Sequence, residues 1–297
     1  SDVIRRRREM LGLTKKKLCE GICSEKTIGR LEANKTKPHI EVVRLLFEKM
    51  NLSGEYQRWQ IVTNDVRAFP IYDEIGRCIN NCQFERVESL IVKLKKYVSM
   101  ENLINRQYEE RVQAIVKLQQ GKITRKRARE EFIAIMEFTL PYQSALGSGE
   151  KYLTNAEIQC LINIVVYTKE EGNDCIFNML IELCIQMEQN NEIAEHISLW
   201  ESIMTNVANT YGSFGEYNES NIVSLKIMKE CIHCYRMGAF VLNLYSMAWN
   251  NEECIKKNIP LDKGYNTKHL LNICKSLCQI NKYEAKELIV MQKLKGI

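Results

Sequence analysis

Leu13-Thr14-Lys15-Lys16-Lys17-Leu18-Cys19, followed after a short break by Cys23-Ser24-Glu25-Lys26-Thr27-Ile28-Gly29-Arg30-Leu31-Glu32 and then by Pro38, decides how the start of the chain reads. Leu18, Ile22, Ile28 and Leu31 are spaced to make the small core where two short helices cross, and Ser24 stands where the second helix needs a cap. Leu45 and Leu46 are expected to close that core from a further helix. Glu25, Lys26, Thr27, Gly29 and Arg30 are left on the outer face, which is therefore mostly polar. Working outward, helices are expected over 2–11, 15–22, 25–33 and 39–51, broken by Gly12, by Cys23-Ser24 and by Lys35-Thr36-Lys37-Pro38. A fifth, over 55–68, leads up to Pro70.

Charge divides along the chain in the same place. Residues 1–50 hold 13 Lys/Arg and 7 Asp/Glu, a balance of +6; the whole chain carries +5, so the remainder carries −1. A basic head on a near-neutral body implies a polyanionic partner for the head alone. The runs Arg5–Arg8 and Lys15–Lys17 would be plain solvated faces in most proteins, but here they coincide with the turn, cap and core pattern of the crossed helices.

Those residues, over the first 55 or so, resemble the lambda-repressor-like (Xre) helix-turn-helix family. The resemblance implies that Glu25, Lys26 and Arg30 reach base edges in a DNA major groove and that Lys15 and Ser24 hold phosphates, with Thr27 and Lys35 as further DNA contacts. Lys15 stands where the family usually has glutamine. A lysine keeps the phosphate grip and loses the two-pronged amide contact to a base. Arg8 and Glu32 match a pair that braces the first helix against the third.

Beyond the head there are few helix breakers. Prolines occur only at 38, 70, 141 and 260, and no strand alternation is seen, so the chain reads as all-α. Pro70 and the fall in positive charge set the expected boundary, giving domains 1–69 and 70–297. The second consists of amphipathic helices in pairs joined by short turns, among them 71–97 and 102–138. Asn206-Val207-Ala208-Asn209-Thr210-Tyr211-Gly212-Ser213-Phe214-Gly215-Glu216-Tyr217-Asn218-Glu219-Ser220 resembles a tetratricopeptide core, with small residues at Ala208 and Ser220, an aromatic at Tyr211 and a turn at Gly215. Weaker echoes are Asn163-Ile164-Val165 before Gly172, and Ser246-Met247-Ala248-Trp249. Such hairpins stack into a right-handed superhelix with a concave inner wall, closed by a final helix over 283–294.

An Xre-like head on such repeats resembles the RRNPP family of quorum-sensing regulators of Gram-positive bacteria. The resemblance implies a cytoplasmic homodimer on a palindromic double-stranded DNA operator, regulated by a short oligopeptide in the concave groove. Side-chain amides can pair with the main chain of an extended peptide. With the Tyr211 hairpin as register, Ser202, Thr205, Asn206, Asn209 and Ser213 share the inner face, and Gln159 and Asn163, Tyr245 and Trp249, and Tyr108 and Arg111 take similar places in neighbouring hairpins. Arg111 is suited to a peptide carboxylate. Repeats that dock a protein partner, or a scaffold with a vestigial head, are the alternatives.

Other classes find no support in the residues. No phosphate loop or nucleophile elbow occurs, and His39, His196, His233 and His269 are far apart in sequence, so neither an enzyme nor a cofactor is expected. Cys231-Ile232-His233-Cys234 lies within a helical pattern and lacks a second pair at zinc spacing. The 12 cysteines, scattered through helical patterns, read as reduced core thiols. The N-terminus has no signal-peptide pattern, and no apolar run approaches the ~20 residues of a membrane span.

Overall fold

The computed structural model describes residues 2–52, 60–147, 152–167, 174–194, 196–261 and 264–296. All regular elements among them are α-helices: α1 (Asp2–Met10), α2 (Lys15–Cys19), α3 (Glu25–Glu32), α4 (Ile40–Lys49), α5 (Ala68–Asn80), α6 (Phe84–Leu94), α7 (Leu103–Gln119) and α8 (Arg125–Met136). They continue as α9 (Tyr142–Leu146), α10 (Asn155–Tyr167), α11 (Asp174–Gln189), α12 (Ile197–Phe214), α13 (Tyr217–His233), α14 (Met237–Lys257), α15 (Thr267–Asn281) and α16 (Glu284–Lys295).

The head forms where its local signals put it. Thr14 and Ser24 each accept a hydrogen bond at 3.1 Å from the backbone N–H three residues on, Lys17 and Thr27, satisfying donors that a helix start leaves unpaired. Leu18, Ile28, Leu31 and Leu46 are buried together with Ile4, Cys19, Met50 and Leu52, and Ile22 packs on them half-buried. Leu45 is only half-buried, so Leu46 makes the closure. The second helix stops at Cys19 rather than Ile22, because the chain turns at Gly21 with φ +77°, a conformation that a side chain disfavours.

The fifth helix of the head is the largest departure. Of the expected 55–68 span, residues 53–59 lie outside the described residues, and 60–67 are not helical. Turn chemistry explains it. Thr63 Oγ1 accepts from Asp65 N at 3.0 Å, Asp65 accepts from Arg67 N at 3.0 Å, and the Arg67 side chain pairs with the same carboxylate. Pro70, read as a stop, lies in the first turn of α5, where its missing N–H costs no helical bond.

By compactness the chain falls into two units: 1–76 with 84–176, and 77–83 with 177–297. The head and α7–α10 belong to the first of these units. In that first unit α8 packs against both α7 and α10, with Phe132, Met136, Leu161 and Ile164 fully buried. In the second unit each helix from α12 to α16 packs on the next, and α12 also meets α14, as stacked hairpins require. Ala208 and Ser220 are buried at the helix contact, and Gly215 makes the left-handed turn at φ +88°. Gly172, part of the weaker echo, lies outside the described residues.

Candidate nucleic-acid interface and ligand site

On α3, Glu25, Lys26 and Arg30 are exposed and Thr27 is half-buried, whereas Ile28 and Leu31 on the opposite side face the head's core. The cap fixes where this helix begins: the Ser24 and Thr27 hydroxyls lie 2.8 Å apart, so both are oriented at the N-terminal turn. A Cβ added at Gly29 would meet nothing within 4 Å, which leaves the middle of the outer face low between Lys26 and Arg30. Lys35 is exposed beyond the end of α3. Lys26 and Arg30, four residues apart, therefore project from one face of one helix.

The basic runs turn out to be mixed in role. Arg8 donates through Nε to Glu32 Oε1 at 2.6 Å and through a terminal nitrogen to Leu13 O at 2.9 Å, bracing α1 against α3 as the family resemblance implies. Lys15 lies 3.3 Å from Glu32 Oε2, so it shares that carboxylate while remaining partly exposed. Burial pushes Glu32 up, but hydrogen bonding and charge from Arg8 and Lys15 outweigh it, and the net shift is downward. Arg7 corrects the reading of Arg5–Arg8 as one basic surface. It is fully buried, pointing away from the solvent-facing side of the head, and is paired with Glu157 of α10.

The eight ligand candidates divide between the two units. In the first, Tyr108, Arg111 and Asn163 are brought together: Arg111 donates to Asn163 Oδ1 at 3.2 Å, and its guanidinium lies 5.9 Å from the Tyr108 ring centre. Gln159, one turn before Asn163 on α10, is half-buried. Three residues that the sequence did not single out join this cluster. Gln60 accepts from Arg111 at 2.6 Å, Tyr72 packs its ring 5.0 Å from Tyr108, and the Asn105 carboxamide accepts from Val62 N at 2.6 Å and donates to Val62 O at 2.9 Å. Asn105 thus pairs with an extended main chain, which is the chemistry expected toward a peptide, but here it is spent on the chain's own segment. Arg111 is only 7% exposed, both of its hydrogen-bond partners are neutral amides, and its Nε has no partner among the described residues. Burial pushes the Tyr108 phenol strongly upward, so it stays neutral.

In the second unit the candidates are held more locally. Asn206 donates to Ser202 O of its own helix at 2.8 Å, and Asn209, exposed, accepts from Ser246 at 3.1 Å. Tyr245 packs on the core formed by α13–α16, and Trp249 stands edge-on to Tyr217 at 6.1 Å. Thr205 does not share the inner face: it is buried and accepts from Asn243 of α14 at 3.0 Å. The cysteines are free among the described residues, and burial pushes the Cys160, Cys184, Cys231 and Cys274 thiols up to about 12, which suppresses the reactive thiolate. Among the described residues no three His, Cys, Asp or Glu side chains group as a metal site, and no helix is long and apolar enough to cross a membrane.

Comparison with known proteins bears on the head first: a helix-turn-helix family model matches residues 4–57. No curated protein matches the sequence. Among solved structures, Bacillus thuringiensis PlcR in complex with the peptide PapR7 and DNA is similar over 97% of both chains, at 14% identity and a TM-score of 0.57. The chain therefore shares that protein's fold class, an N-terminal helix-turn-helix followed by stacked helical hairpins. ComR from S. thermophilus, in complex with DNA and its signalling peptide ComS, matches over 99% of this chain and 97% of its own at 9% identity and a TM-score of 0.49. Streptococcus dysgalactiae Rgg2, an SHP pheromone receptor, matches over 99% and 98% at 14% identity and 0.46.

Proposed function

We propose that the chain is a cytoplasmic transcription regulator that binds a palindromic duplex through α3 as a homodimer and is controlled by a short peptide bound by its helical repeats. The domains by function are then 1–69 for DNA and 70–297 for sensing and pairing, and no catalysis or cofactor enters. One observation carries the DNA half: a capped recognition helix on a complete helix-turn-helix core, with Lys26 and Arg30 exposed on the same face. The solved relative with the same fold was crystallised with a peptide and DNA, which supports both halves. The peptide half draws further support from Arg111. A buried cation bonded only to neutral amides is an expensive arrangement, and a ligand carboxylate would complete it.

The test uses a duplex selected by the full chain from a random pool. Affinity should fall steeply with salt, and Lys26→Ala and Arg30→Ala should each weaken the selected duplex about 10- to 100-fold while leaving the fold intact. A salt-insensitive complex, or variants that bind as the parent does, would count against DNA recognition by this face. For the peptide, calorimetry on hits from a synthetic short-peptide library should give binders whose C-terminal amidation, or Arg111→Met in the protein, abolishes binding. The second reading, a protein partner, is favoured by one feature: Ile222, Leu225 and Ile232 are exposed along one side of α13. A library without any peptide binder would shift the assignment to it.

A further inference from the structure

Arg7 and Glu157 are both 0% exposed in their side chains, an ion pair sealed between the back of the helix-turn-helix head and the first turn of α10. Every donor of the guanidinium is used. Two go to the carboxylate, at 2.6 and 2.9 Å, and three to carbonyls, Met50 O at the end of the head at 3.2 Å and Tyr152 O and Thr139 O from the body at 3.3 and 3.4 Å. The carboxylate is saturated as well. Oε1 also accepts from the Thr139 hydroxyl at 2.7 Å, and Oε2 from Thr154 N at 2.8 Å. Thr154 in turn accepts from Glu157 N at 3.3 Å, so the acid is held by a reciprocal cap at the start of its helix. Around the pair, Tyr152 packs on the head's core, its N–H meets Met10 Sδ at 3.3 Å, and Asn51 donates to Thr139 O at 3.4 Å.

Adhesion alone does not account for such a pair. Two charges taken out of water repay their desolvation only with good geometry, and apolar side chains of the same volume often hold two surfaces as well or better. What the fork supplies in addition is direction: five planar donors met by five acceptors from three separate segments admit one orientation of α1. The same network reaches the candidate ligand helix. Gln107 of α7 donates to the Thr139 hydroxyl at 3.0 Å and to the Ile135 and Met136 carbonyls at the end of α8, and Arg111 stands one turn further along α7.

We propose that Arg7–Glu157 is the joint that fixes the angle of the DNA-reading head on α7–α10, so that movement of those helices is passed to the head as a rigid-body turn. Arg7 is in this sense a positioning residue, one that touches no DNA. Its consequence for DNA rests on the paired-head reading given above. Two heads on rigid joints discriminate half-site separation, because both engage only when the geometry fits, and loose joints surrender that discrimination.

The experiment uses the full chain and duplexes carrying two copies of the half-site that it selects, separated in single-base-pair steps over one helical turn. The parent should lose about 100-fold in affinity at the wrong spacing, and Glu157→Gln less than about 10-fold, with affinity for a single half-site unchanged. Arg7→Lys keeps the charge and loses the fork, so it should behave like Glu157→Gln; a role in charge neutralisation alone would leave it like the parent. Hydrogen exchange supplies the readout that needs no DNA: α1 and residues 152–157 should lose protection in both variants while α2 and α3 keep it. Should Glu157→Gln fail to fold, Thr139→Val removes one bond to the carboxylate and should give a smaller change in the same direction. Parental spacing discrimination and parental protection of α1 in these variants would overturn the joint. A parent chain indifferent to spacing would instead overturn the paired-head reading, and exchange at α1 would still decide the joint.

Discussion

The interiors of the two units solve the same problem with different chemistry. In the second, most of the buried polar side chains among the described residues are neutral: Asn243 donates to Thr205 at 3.0 Å, Asn250 to Ser220 and Asn221 at 2.8 and 2.9 Å, and Asn251 to Tyr265 O at 2.6 Å and to Thr267, while the one buried charge, Glu201, is met by Arg236, whose side chain reaches solvent. These amides tie α14 to α12, α13 and α15. In the first unit the buried polar groups include full charges, Arg7 with Glu157 and Arg111 with no acid bonded to it among the described residues. The stack is held in register by neutral amides and by one ion pair that keeps its cation at the surface, so a pair sealed on both sides, or a buried cation bonded to amides, points to something other than stacking: a fixed orientation at Arg7, a place for an incoming anion at Arg111.

The largest effect that sharpens this contrast is at the joint. Arg7→Met leaves the Glu157 carboxylate buried and unpaired, and should cost about 3–5 kcal/mol in chemical denaturation; adding Glu157→Met should recover most of it. Recovery of stability without recovery of spacing discrimination is the outcome expected of a directional pair. A single substitution costing less than the loss of one neutral hydrogen bond would erase the distinction between the two interiors.

How much of this was legible in the sequence follows the range of the interactions. The head's cap at Ser24, its core at Leu18, Ile28 and Leu31, and the turn at Gly215 are all local patterns, and they appear as read; the matching cap at Thr14 is just as local. The Arg7 partner lies 150 residues away, so no spacing rule within the head could reveal it. One local signal was available: Thr154-Asn155-Ala156-Glu157 has the pattern of a reciprocal helix cap, which marks Glu157 as a held carboxylate without saying which cation it meets. The Arg111 cluster is similar. Helical periodicity puts Tyr108 and Arg111 on one side of α7, but Gln60 reaches them from a segment whose helical reading failed, and Tyr72 comes from a different helix, α5. Pro70 was misplaced for a physical reason, since proline is tolerated at the beginning of a helix as readily as it ends one.

Next in size is the amide ladder of the second unit. Asn250→Ala removes the donor shared by Ser220 and Asn221 and opens a small gap where α13 meets α14, at a cost of about 1–3 kcal/mol in the same denaturation experiment. The loss should be confined to stability. If the ladder only staples hairpins, peptide affinity extrapolated to the folded fraction and DNA half-site preference should match the parent. A change in either at unchanged folded fraction would mean that the second unit's amides also transmit or recognise, and the contrast with the first unit would fail.

The smallest expected change in stability, and the one with the opposite sign, is at Arg111. A structural arginine that is 7% exposed should be missed when it is removed, because its partners are left buried without bonds. Arg111 differs in that, among the described residues, no acid is bonded to it: Gln60 and Asn163 are amides that can turn toward other donors, and the Nε is unsatisfied. Replacing it by methionine keeps most of the volume beside Tyr108, removes the cost of holding an uncompensated cation, and should leave stability without ligand within about 1 kcal/mol of the parent or raise it. Peptide binding should be lost in the same variant. Stability and binding moving in opposite directions is the signature of a charge kept for a ligand, whereas a loss of several kcal/mol without ligand would assign Arg111 to the fold and leave the peptide's carboxylate without a partner in the first unit.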